Sequence, residues 1–184
     1  MEQEKMNSAL VKSIDGSKRV IEEMNPTSLM KAVKNPVEMD NMRRAHVKDG
    51  VALTKFIRWM KTEGQTADVT ETEAAERLEG LRKEQEGYIG PSFSTISAYG
   101  SNAAMCHYHA EKGDESSVGK KSFYLVDSGV QFYECTTFVT RTLALLPLTA
   151  AAIFHSTLVL LFFLLLVHSY FFFSFLCFLL FLFF

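Results

Sequence analysis

The segment from Asp127 to Thr142 contains the residues whose types and spacing could do chemistry. It reads DSGVQFYECTTFVTRT, which is typical of two strands joined by a Gly-containing turn. The first strand ends in the carboxylate of Asp127, and the second would point position 138 back toward it. Paired carboxylates there could hold a divalent cation, but position 138 is Phe, and a phenyl ring does not bind a hard cation. The segment predicts a metal-binding hairpin that lacks one ligand.

Two helices are predicted upstream of this hairpin. Asn35 and Glu38 form a capping box, and apolar residues at helical spacing continue the helix to near Gly64. A second capping box at 70–73 begins a helix that should stop by Gly87. The two apolar stripes consist of Met42, Ala45, Ala52, Phe56 and Met60 in the first helix, with Trp59 beside them in the core, and of Ala74, Leu78 and Leu81 in the second.

Short strands are predicted after the helices, at 93–99, 104–108, 122–126 and 136–140, with a polar loop at 111–121. The order of two helices followed by antiparallel strands predicts the α+β class.

Several stretches resemble the catalytic domain of Xaa-Pro aminopeptidases (aminopeptidase P), in the order in which that family has them. They are SLMKAVKNPVE at 28–38, MRRAHVKDGVAL at 42–53, GPSFSTISAYGSNAAMCHY at 90–108 and the hairpin at 127–142. The resemblance implies the pita-bread fold that this family shares with creatinase and methionine aminopeptidase. The expected architecture is the N-terminal half of that fold, followed by an apolar C-terminal tail.

The resemblance also implies a chemistry: two bridged divalent metals, typically manganese, and removal of an N-terminal residue that precedes proline. Asp127 falls on the first metal-binding Asp of the family, and Phe138 falls on the second, which bridges both metals. His107 falls on a histidine that binds substrate. The family's other ligands would lie beyond Thr142, where the sequence leaves the family pattern. We therefore expect a truncated and inactive member of this lineage. It would lack a complete set of catalytic residues and would not bind the two metals itself.

Each candidate site residue has a plainer interpretation. A lone Asp127 could be a turn aspartate that caps Ser128 and Gly129. His107 could be a partly buried strand histidine. If 104–108 continues as a strand, then His107, His109 and Glu111 share one face, and a zinc ion needs three or four such ligands. Cys135 stands where the family usually has Gly.

Composition limits the classes of function. The chain of 184 residues carries 19 Lys and Arg against 21 Asp and Glu, a net charge of −2, which favours neither nucleic acid nor an acidic partner. Three dispersed cysteines without a CxxC pair predict a reduced, intracellular chain, and the resemblance implies a cytoplasmic one. The polar N-terminus is not typical of a signal peptide.

All Lys, Arg, Asp and Glu residues lie at or before Arg141, so the sequence divides into three parts. Residues 1–28 are a linker or the remnant of a preceding domain, 29–142 are the partial metallopeptidase domain, and 143–184 are an uncharged tail rich in Phe and Leu. The tail is long enough for a transmembrane segment. Since Phe, Leu and Ser all have pyrimidine-only codons, it could instead be translated non-coding sequence.

Two functions therefore stay open. The first is an Xaa-Pro aminopeptidase that acts on peptides with proline in the second position. The second is a non-catalytic, tail-anchored membrane fragment without metal. Half of a pita-bread domain would leave sheet edges uncovered, and a homodimer is one way to cover them.

Overall fold

A computed structural model describes residues 7–14, 16, 21, 23–64 and 66–183, with the backbone alone at Leu10 and over 170–183. Part of the predicted linker, which includes residues 1–6 and 17–20, lies outside the described residues. The helices are α1 (Ser8–Lys12), α2 (Pro26–Ala32), α3 (Pro36–Trp59), α4 (Glu71–Lys83) and α5 (Ala150–Phe183). The strands are β1 (Tyr88–Pro91), β2 (Ile96–Tyr99), β3 (Ser122–Ser128), β4 (Val130–Phe132) and β5 (Val139–Leu145).

Helix α3 begins and ends as the sequence predicts. The Asn35 side chain accepts a hydrogen bond of 2.9 Å from the Glu38 backbone, and the Glu38 carboxylate accepts one of 2.9 Å from the Asn35 backbone. The helix continues into a π-helical turn, Met60–Gly64. Its predicted stripe is confirmed, since Ala45, Ala52, Phe56 and Met60 are buried and Met42 is half-buried.

The predicted second capping box is also present at the start of α4, between Thr70 and Glu73. Ala74, Leu78 and Leu81 are buried on the face of α4 that packs on α3 and the strands. Both helix starts are encoded locally, because the cap residue and its partner lie three positions apart.

The strands form two antiparallel units, a sheet in the order β2-β3-β5 and a ribbon of β1 with β4. The helices α3 and α4 cover the sheet. Phe56 of α3 lies 6.2 Å from Tyr124 of β3 between ring centroids, and Leu143 and Leu145 of β5 join the same core. This arrangement confirms the α+β class.

The strand predictions are partly wrong. Residues 104–108 do not form a strand, because Gly100–Ala104 is a 3₁₀ turn that further turns follow. Strand β5 begins at Val139 and continues to Leu145, three residues beyond the predicted domain boundary, and its last residues are buried in the core. The sequence did not predict β1 or β4.

A buried carboxylate explains why 104–108 is not a strand. Glu71 is fully buried at the start of α4 and accepts hydrogen bonds from Tyr99 N (2.5 Å), Tyr108 Oη (2.7 Å) and Ser116 N (3.0 Å). Asn102 Nδ2 donates to it as well, at 3.1 Å. These contacts hold the chain between β2 and β3 in a compact loop, because a buried carboxylate must be hydrogen-bonded.

A second buried polar group joins three parts of the chain. Asp49, on the apolar face of α3, accepts a hydrogen bond from Arg82 Nε of α4 at 2.8 Å. Its other carboxylate oxygen accepts from Thr137 Oγ1 at 2.6 Å, and Thr137 directly precedes Phe138. All three residues are at least 98 % buried.

Helix α5 is apolar on every side. Thr149 caps it, with its hydroxyl oxygen accepting from Ala152 N at 3.2 Å. Within the described residues, one helix is long and apolar enough to cross a membrane, over Ala150–Ser169, with a mean hydropathy of 2.5 and none of that window buried against the rest of the chain.

Replacing Asp49 should unfold the domain more readily than replacing any exposed carboxylate of the same helix. Asp49→Ala leaves the Arg82 guanidinium buried without a counter-charge, which costs about 3–5 kcal/mol. Asp40→Ala is the matched control, because Asp40 pairs with Arg43 at the surface of α3 and such pairs contribute about 1 kcal/mol or less. Urea unfolding followed by Trp59 fluorescence measures both. Equal losses in the two variants would contradict the assigned role of Asp49.

Alkaline pH should loosen the loop that Glu71 holds. Burial, and then the hydrogen bond to Glu71, raise the pKa of Tyr108 to about 12. The folded chain therefore retains a proton that the unfolded chain loses near pH ~10, so this contribution is complete below about pH 10 and is lost as pH rises to about 12. In Tyr108→Phe, the urea midpoint of unfolding should fall less steeply between about pH 10 and about pH 12 than in the wild type.

The matched control is Tyr133→Phe, because the exposed Tyr133 lies outside the loop that Glu71 holds. Parallel losses of stability in the wild type and Tyr108→Phe would show that Tyr108 does not contribute to the alkaline transition.

Candidate metal centre

Asp127 lies inside strand β3 and not in a turn. It pairs with Ile96 of β2 on one side and with Thr140 of β5 on the other. The interpretation as a turn aspartate that caps Ser128 and Gly129 is therefore wrong. The side chain is half-buried, and its Oδ1 accepts a hydrogen bond of 2.7 Å from Thr140 Oγ1.

The hairpin is one continuous ladder with a constant register. The pairing of β3 with β5 reaches Ser128 opposite Val139, and the backbones of Val130 and Thr137 then exchange both hydrogen bonds, at 3.2 and 2.8 Å. Phe132 N donates to Cys135 O at 3.1 Å, so the turn of the hairpin consists of residues 133 and 134. The sequence placed the turn too early, because the Gly at position 129 resembled a turn signal.

Gly129 is required for close packing inside this ladder. A Cβ at position 129 would lie 2.1 Å from Thr137 O and 2.2 Å from Ser92 Oγ. Its backbone carbonyl accepts from Ser92 N at 3.0 Å, which ties the hairpin to the segment between β1 and β2. The glycine thus marks the point where the long strand passes from the sheet to the ribbon.

The register places Phe138 beside Asp127. Position 138 lies opposite Gly129, and its Cα is 3.0 Å from where a Cβ of that glycine would be. Opposite residues of an antiparallel pair share a face, and so do residues two apart. Asp127, Thr140 and Phe138 therefore stand on one face of the hairpin, with Asp127 and Phe138 as diagonal neighbours at about 7–8 Å between Cα atoms. The Phe138 side chain is 71 % exposed.

The turn of the hairpin is held against helix α3. Lys48 Nζ donates to Glu134 Oε1 at 2.5 Å and to Glu86 O at 2.9 Å. The hydrogen bond from Lys48 is the main reason that the pKa of Glu134 is lowered. This contact at residue 134 and the Asp49–Thr137 hydrogen bond hold the chain on the N-terminal side of Phe138.

His107 occupies an exposed turn after the 3₁₀ segment. The interpretation as a partly buried strand histidine is wrong, and within the described residues no hydrogen bond or ion pair joins it to Asp127. Its neighbour Tyr108 points inward to Glu71. His109 and Glu111 are exposed in irregular chain, so the shared strand face that suggested a zinc site does not form.

The ligand set does not fit a pair of metals. Among the described residues, no group of three or more His, Cys, Asp or Glu side chains could hold a metal ion. The neighbours of Asp127, the predicted ligand, on that face are the Thr140 hydroxyl and the Phe138 ring.

The buried anchors Asp49, Arg82 and Glu71 were not predicted from the sequence. Asp49 had a signal that could have revealed it, because it occupies a position between Ala45 and Ala52 on the apolar stripe of α3. A charged residue at such a position requires a buried partner. Glu71 had no comparable signal, since acidic residues are ordinary in the first turn of any helix.

Comparison with protein families gives a match to metallopeptidase family M24 over residues 40–160. A probable Xaa-Pro aminopeptidase P of Sordaria macrospora is 43 % identical over 158 residues, which are 85 % of this chain and 26 % of that protein. One of Leptosphaeria maculans is 42 % identical over 136 residues, or 73 % of this chain and 22 % of that protein. The chain thus spans about a quarter of the length of these relatives.

Comparison with solved structures also gives matches to aminopeptidases of this type. The X-prolyl aminopeptidase of Caenorhabditis elegans, described as a cytosolic enzyme with a di-nuclear active site, is 35 % identical with a TM-score of 0.71. The match covers 76 % of this chain and 23 % of that enzyme. The X-Pro aminopeptidase of Thermotoga maritima, 23 % identical with a TM-score of 0.61 over 82 % of this chain and 41 % of that one, shares the fold.

The match of the family model to most of the sequence and the structural matches confirm the predicted family and the predicted pita-bread architecture. The chain belongs to metallopeptidase family M24, and its α+β domain is part of the pita-bread fold found in the Xaa-Pro aminopeptidases.

Proposed function

We propose that this chain is a non-catalytic member of the Xaa-Pro aminopeptidase lineage, which keeps the scaffold of the metal site without the metal pair. The proposal rests on the position of Phe138. This residue lies on the same face of the hairpin as Asp127, where the resemblance implies the bridging carboxylate.

The chemistry of divalent cations supports this proposal. Manganese and similar hard cations take oxygen ligands, and stable sites draw on several carboxylates at once. Asp127 offers one carboxylate, and Thr140 already donates a hydrogen bond to it. Two cations held close together would repel each other strongly unless anionic ligands lay between them. The exposed phenyl ring of Phe138 cannot supply such a ligand.

The substrate side follows the same reasoning. The resemblance would give this lineage peptides with proline in the second position, and His107 would contact them. In this chain His107 lies in an exposed turn. A histidine that has no activated nucleophile beside it orients or protonates nothing useful, so Xaa-Pro peptides should not be cleaved.

We infer as a second function that helix α5 attaches the chain to a membrane. The window Ala150–Ser169 spans about 30 Å at about 1.5 Å per residue, which matches the hydrocarbon core of a bilayer. None of the residues in this window is buried in the described structure. Arg141 precedes the helix and lies close enough to its start to count toward the positive-inside rule, which would favour the M24 domain on the cytoplasmic side. Non-catalytic function and membrane attachment are compatible.

Restoring the missing carboxylate should not create an enzyme. We expect the full-length chain in detergent to bind manganese weakly and to leave Xaa-Pro peptides uncleaved. Phe138→Asp should tighten manganese binding measured by calorimetry, because two carboxylates then share one face, without measurable hydrolysis. Asp127→Asn in the Phe138→Asp background should remove the gain.

Stoichiometric binding of two manganese ions by the wild-type chain, together with turnover, would contradict the proposal. So would turnover by the Phe138→Asp variant. Phe138→Leu is the matched control, since it removes the ring without adding a ligand, and it should bind manganese as the wild type does.

The membrane proposal predicts that the wild-type chain stays with membranes during extraction at alkaline pH. Leu160 and Leu161 lie at the centre of the span, and two Arg residues there would oppose insertion by about 5–7 kcal/mol in total. The double variant Leu160→Arg/Leu161→Arg should be released or aggregate outside the membrane. Leu146→Arg, which precedes α5, is the control and should remain in the membrane. Release of the wild-type chain would contradict the assignment.

A further inference from the structure

A basic cleft lies between helices α3 and α4, on elements other than the strands that carry Asp127. Its cavity volume is about 380 Å³, and the side chains that line it include Lys55, Arg58, Trp59, Glu63 and Arg77. The α3 residues recur at helical spacing and so line one face of the cleft, and Arg77 of α4 forms the opposite wall.

The cleft carries an excess of positive charge, with three cations against the one carboxylate of Glu63. The pair of Lys55 with Glu84 measures 3.3 Å between side chains that are each more than half exposed, so it neutralises little of that charge. The Arg77 guanidinium lies over the Trp59 ring, 5.6 Å from its centroid. This stacking holds the Arg77 guanidinium in position and leaves its positive charge uncompensated.

Arg58 is the residue that packing does not explain. Within the described chain it makes no ion pair, whereas Arg43 pairs with Asp40 and Lys83 with Glu79. Arg44 of the same helix also makes no ion pair, but its guanidinium donates a hydrogen bond to Asn41. Arginine binds oxyanions through two parallel N–H donors, and this geometry suits phosphate. The half-buried ring of Trp59 supplies a rigid apolar floor beside these donors.

We propose that the basic cleft binds a phosphate group, with Arg58 and Lys55 as its donors and Arg77 held in place by Trp59. The phosphate could belong to a small soluble ester or to the headgroup of an anionic phospholipid. The shared chemistry is a phosphate oxyanion. The proposal depends neither on metal binding nor on the membrane role of α5.

Trp59 is the single tryptophan of the chain, so its emission reports this cleft alone. The experiment uses the full-length chain in neutral detergent and titrates inorganic phosphate at constant ionic strength. A second arm places the chain in bilayers of phosphatidylcholine, with or without about one-fifth phosphatidic acid. Response to phosphate identifies a soluble source, and response only to phosphatidic acid identifies the lipid.

A saturable change in Trp59 emission in either arm, with an apparent affinity at least about tenfold weaker in Arg58→Gln, would support the proposal, since a hydrogen bond to a charged group contributes about that factor. Arg43→Gln is the matched control and should behave as the wild type. A second readout, phosphate binding by calorimetry, applies if the emission does not change. The absence of saturable binding in both arms, or equal binding by Arg58→Gln, would overturn the proposal.

Discussion

The buried carboxylate of Asp49 is the contact on which the arrangement of the domain depends. It accepts hydrogen bonds from Arg82 of α4 and Thr137 of the hairpin, so one side chain fixes two helices and the hairpin together. A charge taken out of water is tolerated only when such partners surround it, and this makes the three elements interdependent. Since Thr137 directly precedes Phe138, the same contact determines where the candidate metal centre presents its second position.

The scaffold of the centre and its chemistry are separate properties of this chain. Asp49, Glu71 and the close packing at Gly129 hold the loop and hairpin in place through contacts within the protein. The side chain at position 138, where the resemblance implies a ligand, contributes little to this packing, because it is 71 % exposed. A phenyl ring can therefore replace a carboxylate there without disturbing the fold, and the fold alone does not indicate catalysis.

Local signals in the sequence predicted the features that are local in origin. Both capping boxes formed, and the stripes of α3 and α4 became the core, since each depends on neighbours three or four positions away. The failures involve distant partners. Residues 104–108 read as a strand, but Glu71 holds them as a loop from more than 30 positions away. Gly129 read as the turn, but packing against Ser92 and Thr137 placed it within the ladder. Alternation places Phe138 and Thr140 on one face of their strand, but whether Asp127 shares that face depends on the register, which the sequence did not indicate.

The central claim is that this chain holds no coupled pair of metal ions at Asp127. Electron paramagnetic resonance of the full-length chain, reconstituted with manganese and cooled to liquid-helium temperature, tests it directly, because two manganese ions that share a bridging ligand are magnetically coupled. The account predicts the six-line signal of isolated, weakly bound manganese, unchanged in shape by Asp127→Asn. A broad, exchange-coupled signal from the wild-type chain that Asp127→Asn abolishes would contradict it.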